Sequence, residues 1–83
     1  MEATKENLKA IKEELVFDII FIKERFYDDL DDEEMEQLES ELEAKIMKML
    51  PSYKETISPT AAFSDILERT AENFVKKIKA NSA

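Results

Sequence analysis

Leu8, Ile11, Leu15, Ile19, Ile22 and Phe26 recur at the i, i+3, i+4, i+7 spacing that gathers side chains on one face of a 3.6-residue helix. The β-branched cluster between residues 15 and 22 would suit a strand if it stood alone. The helical period runs through it, however, and Glu/Lys-rich segments flank it on both sides. The pattern predicts a first helix over about 5–28, with Thr4 as its N-cap and Asp28-Asp29 at its end.

A second stripe follows at Met35, Leu38, Leu42, Ile46 and Met49. Asp31 with Glu34 has the spacing of a capping box, in which each side chain satisfies a free amide of the other residue. Pro51 disfavours helical dihedrals at the residue before it, so this helix is expected over 32–50, stopping near Met49 or Leu50. Residues 51–58 read as a connection, with one turn bringing Tyr53 and Ile57 together at i, i+4. Ser58-Pro59 then supplies a capping hydroxyl and a proline at the first helical position, where the missing amide hydrogen costs nothing. Phe63, Ile66, Leu67, Thr70, Phe74 and Ile78 line one face of a third helix over 59–80, with Ala71 and Val75 beside them. Lys76, Lys77 and Lys79 complement the dipole of its last turns.

The resulting expectation is all-α: one domain over 1–83, a small antiparallel three-helix bundle whose core is the apolar members of the three stripes. The first helix carries more apolar surface than such a bundle consumes. Val16, Phe17, Ile20 and Phe21 extend from the flank of its stripe round to the opposite side, and between residues 15 and 22 only Asp18 interrupts them. A helix with water on one side should have a polar face there. One explanation is a central helix wrapped by the other two. Their stripes are too narrow to cover the whole perimeter, so the favoured expectation is self-association through Val16, Phe17, Ile20 and Phe21, with Tyr27 near the patch. A two-fold homodimer, the commonest closed symmetry, would then complete the core. Asp18 reads as a charge that breaks an aggregation-prone window or pairs with Arg25.

Charge changes the picture next. The chain has a net charge of −8, unevenly spread. Residues 1–27 sum to −1 and residues 45–83 to +3, whereas residues 28–44 hold ten acids and no base. Asp31, Asp32, Glu33 and Glu34 suit a helix N-terminus, where each well-placed acid contributes ~0.3–1 kcal/mol. Glu36, Glu39 and Glu43 lie beyond the first turn and repel one another, so capping does not account for them. Asp31, Asp32, Glu36, Glu39 and Glu43 are therefore the candidate residues for binding a basic protein partner. The competing explanation is a solvated face that keeps a small domain in solution.

Composition narrows the chemistry. At average usage, a chain of 83 residues would contain about six glycines; this one has none, and neither Cys nor His occurs. Phosphate-cradling loops, thiolate nucleophiles, disulfides, imidazole ligands and His-based catalytic pairs are all excluded. An EF-hand starting at Asp28 would put Leu30 at its third position and Glu33 at its sixth, where glycine is needed. No catalytic residues, metal or cofactor are expected, and the chain is expected not to be an enzyme. Direct nucleic-acid binding has the wrong overall charge. The longest apolar stretch, eight residues with an acid inside it, is far short of the ~20 needed to span a bilayer. The N-terminus alternates Glu with Lys, unlike a secretory signal, and the expected location is the cytoplasm.

Two functions remain open. The favoured one is an acidic interaction module or inhibitor that binds a basic protein. The alternative is a structural or assembly subunit that self-associates through the apolar faces of the first helix, with the acidic run serving only to solubilise.

Overall fold

A computed structural model of the chain describes residues 1–82, with α1 over Lys5–Glu14, α2 over Val16–Arg25, α3 over Asp32–Met49 and α4 over Pro59–Ser82. The described residues contain no strand. The expected three helices are thus four, because the first divides at Leu15. This residue adopts φ −100°, ψ 11°, and its N–H is shared between the carbonyls of Ile11 (3.0 Å) and Lys12 (3.1 Å). The ladder resumes at once, with the Ile19 N–H donating to the Leu15 carbonyl at 2.9 Å. Leu15 is fully buried, and packing holds the local tightening in place. The helix also ends sooner than expected, at Arg25, where Phe26 leaves helical geometry and starts a run of turns. Phe26 and Leu30 are both buried, anchoring the two ends of that loop.

The expected caps form. Thr4 Oγ1 accepts from the Asn7 N–H at 3.1 Å. Asp31 Oδ1 accepts from the Glu34 N–H at 2.8 Å, while the Asp31 N–H donates to Glu34 Oε1 at 3.0 Å. Ser58 Oγ accepts from the Ala61 N–H at 3.2 Å. Pro51 acts differently from the expectation. Leu50, just before it, stays helical at φ −52°, ψ −43°, and the α-helix tightens into a 3₁₀ turn over Leu50–Ser52. Leu50 therefore belongs to the core, on the same i+4 row as Leu38, Leu42 and Ile46.

On α4 the buried row is Phe63, Leu67, Ala71 and Val75. Ile66, Phe74 and Ile78, expected in the core, lie half-buried on its flank, as do Leu8, Met35 and Met49 on theirs. The row that meets α3 runs strictly by fours and includes the small Ala71. Full burial of a large aliphatic or aromatic side chain contributes ~1.5–3 kcal/mol. Leu15, Leu38, Leu42, Ile46, Leu50, Phe63 and Leu67 are all below 2% exposed and form the centre of the core.

Polar contacts reveal how the helices run. Asp18 meets Ser64, Arg25 meets Glu72 and Asp29 meets Lys79, so α2 and α4 are parallel. Lys12 meets Glu43 and Lys23 meets Glu39, which places α3 antiparallel to α1 and α2. Among the described residues no helix is long and apolar enough to cross a membrane.

Candidate functional site

Burying Ile11, Leu15, Ile19, Ile22 and Phe26 against α3 and α4 fixes what α2 turns outward. Phe17 is 72% exposed and Phe21 68%, with Val16 and Ile20 each at 43%. The four residues occupy consecutive turns at i and i+4, forming one apolar strip on the side of α2 remote from the core. Tyr27, just past the helix end, is exposed as well. Exposed aromatic surface of this kind is uncommon on a small isolated domain and characteristically marks an interface. The wrapped-helix explanation fails because both partner helices pack on the same half of the perimeter.

Acids border the strip. Glu13 and Glu14 precede it and Glu24 follows it, all exposed, and none makes an ion pair among the described residues. Of the nearby bases, Lys9 lines a hollow beside Val16 and Glu13 and makes no ion pair among the described residues, whereas those near the far end are committed elsewhere. Lys23 is paired with Glu39 at 2.7 Å, and Arg25 with Glu72 at 3.1 Å while also stacking 5.0 Å over the Phe26 ring.

The acidic candidates divide into two groups. Glu39 and Glu43 are half-buried and turned towards α1 and α2, where Lys12 lies 3.7 Å from Glu39 and 2.9 Å from Glu43. The hydrogen bond from Lys23, together with both lysine charges, holds the Glu39 carboxyl below the ordinary glutamate range. Lys12 is raised correspondingly, chiefly by its hydrogen bond to Glu43. Their excess over capping needs thus has an internal cause: they tie α3 to its neighbours. Asp31 is engaged in its capping box. Asp32 and Glu36 are exposed and clear of ion pairs among the described residues, and with Glu33 they form the open part of the acidic run. The five acidic candidates do not share one free surface. No group of three or more acids among the described residues is arranged to hold a metal ion.

Asp18 is half-buried and makes no ion pair with Arg25, which pairs with Glu72 instead. Its carboxylate accepts from Thr60 Oγ1 at 3.2 Å and Ser64 Oγ at 3.5 Å, joining α2 to the start of α4.

The sequence pattern did not reveal a groove between α3 and α4 on the face away from α1 and α2. Two adjoining hollows of about 470 and 490 Å³ share Lys45, Lys48, Thr70 and Asn73 as lining. The half-buried Ile66, Phe74 and Ile78 give the groove an apolar floor, and Arg69 and Lys77 complete a rim that is basic except for Glu41 at one end. The available signal was the i, i+3 pair Lys45 and Lys48 directly after the acidic run. Comparison with protein-family models, curated proteins and solved structures finds no match to this chain.

Proposed function

We propose that this chain is a non-catalytic protein-interaction module whose working surface is the outer face of α2, and that it binds a protein surface with an apolar centre and a basic rim. The observation that carries this reading is the exposed pair Phe17 and Phe21, flanked by Val16 and Ile20 and bordered by Glu13, Glu14 and Glu24. Aromatic side chains supply much of the holding energy at protein interfaces. Charge complementarity contributes orientation and association rate. The open acids Asp32, Glu33 and Glu36 support a steering role, since a net charge of −8 draws basic partners over distances beyond contact.

Of the two functions considered from sequence, the apolar surface is favoured over the acidic run as the part that holds the partner. Glu39 and Glu43 already have partners within the chain, which leaves the run fewer free carboxylates than its composition suggests.

A designed amphipathic peptide of Leu and Lys, helical and cationic, mimics the proposed partner surface. It should bind the chain, and an equivalent Leu/Glu peptide should not. Phe17→Glu with Phe21→Glu should lower the affinity at least tenfold, while Asp32→Lys with Glu36→Lys should mainly slow association. Loss of binding in the second pair with none in the first would return the function to the acidic run.

A further inference from the structure

The partner surface just described, apolar at its centre and basic at its rim, occurs on this chain. We infer that the outer face of α2 of one molecule docks into the α3–α4 groove of a second copy, so that the protein assembles head to tail. The inference rests on the proposed role of α2 and names its occupant.

The two surfaces match in chemistry. The strip offers Phe17 and Phe21 with acids at both ends; the groove offers Ile66 and Phe74 beneath Lys45, Lys48, Arg69 and Lys77. None of these four bases makes an ion pair among the described residues. They match in length as well. At ~1.5 Å per residue, Glu13 and Glu24 lie about 16 Å apart along the helix axis and Arg69 and Lys77 about 12 Å apart.

A two-fold pairing of α2 with α2 is disfavoured by the same charges. An antiparallel pair centred on the four apolar residues sets Glu13 of one copy opposite Glu24 of the other at each end. Like charges placed in this way repel, whereas the groove presents bases to the same carboxylates. The two docking surfaces lie on different faces of the chain, so the contact is heterologous. Such contacts build rings or open filaments instead of closing at two.

The test uses two variants altered only at solvent-accessible positions. Phe17→Glu with Phe21→Glu removes the strip and keeps the groove; Lys45→Glu with Arg69→Glu removes the groove and keeps the strip. Circular dichroism verifies that each is folded. In sedimentation velocity the wild type should grow in mass with concentration and shrink as salt is raised. Each variant alone should be monomeric, and an equimolar mixture should form a species of twice the monomer mass and no larger, because one good strip meets one good groove. A mixture that stays monomeric overturns the inference, as does a wild type that never exceeds monomer mass. A groove variant that still dimerises while the strip variant does not would overturn head-to-tail docking and keep α2 as the interface. A strip variant that associates like the wild type would remove both.

Discussion

Lys23 Nζ lies 2.7 Å from Glu39 Oε2, a charge-assisted contact between α2 and α3 that turns an apparently surplus acid inward. Glu39 titrates below its ordinary value because Lys23 donates to it and Lys12 adds charge. A depressed carboxylate pKa contributes stability that is present above the unfolded value, 4.5, and lost as pH falls through the folded value. Both groups are about one-third exposed, so the contribution is at the surface scale of ~0.2–1 kcal/mol. The stability gap between wild type and Glu39→Gln should be flat near neutrality and close below about pH 4.5, measured by urea unfolding at several pH values. Lys12 works in the opposite sense: its raised pKa contributes stability fully present below 10.5 and lost as pH rises through the folded value. Lys12→Gln should therefore narrow the difference on the alkaline side.

Leu42 is 1% exposed at the centre of α3. Leu42→Ala should cost ~2–5 kcal/mol through lost burial and the cavity left behind. Leu42→Asp buries a carboxylate with no partner and should abolish the cooperative thermal transition. A cooperative melt preserved in the aspartate variant would show that the row Leu38, Leu42, Ile46 and Leu50 does not form the core.

Asp31 and Glu34 satisfy each other's amides at the start of α3. Asp31→Ala should destabilise the fold by ~1 kcal/mol. Asp32→Ala, a neighbour outside the reciprocal pair, should cost less, and denaturant midpoints compare the two directly.

Self-association links stability to concentration, because anything bound only by the folded state raises its melting temperature. The wild-type Tm should climb as protein concentration rises and lose that dependence in high salt, where the Debye length falls from ~10 Å at 0.1 M to ~3 Å at 1 M. Phe17→Glu with Phe21→Glu should melt at one temperature throughout, since both side chains face solvent within the monomer.

How much of this was legible in sequence depends on whether the signal was local. The Asp31–Glu34 reciprocity, the Ser58-Pro59 start and the stripe through Leu38, Leu42 and Ile46 each rest on neighbours within a turn or two, and all three form. The break at Leu15 has no Gly or Pro to announce it, because it arises from packing. Leu30 lies in a loop outside the periodic runs, and Leu50, although it continues the row of Leu38, Leu42 and Ile46, stands directly before Pro51, which signals the end of the helix there. On α4, periodicity alone could not choose between the row through Phe74 and Ile78 and the row through Ala71 and Val75; α3 makes that choice. The outward aromatic strip was visible in the circumference of the first helix. The pairing of Glu39 and Glu43 with Lys23 and Lys12 was not, because it requires knowing which helix faces which. For the same reason the α3–α4 groove, whose bases come from distant parts of the chain, left only the weak trace of Lys45 and Lys48.

The central claim is that the outer face of α2 is where this protein meets its partner, and amide NMR of the isotope-labelled chain titrated with the Leu/Lys peptide tests it most directly. The largest shift changes should fall on residues 13–24, with small changes over the acidic run from Asp28 to Glu36. Changes concentrated in that acidic run, with the amides around Phe17 and Phe21 unmoved, would contradict the account.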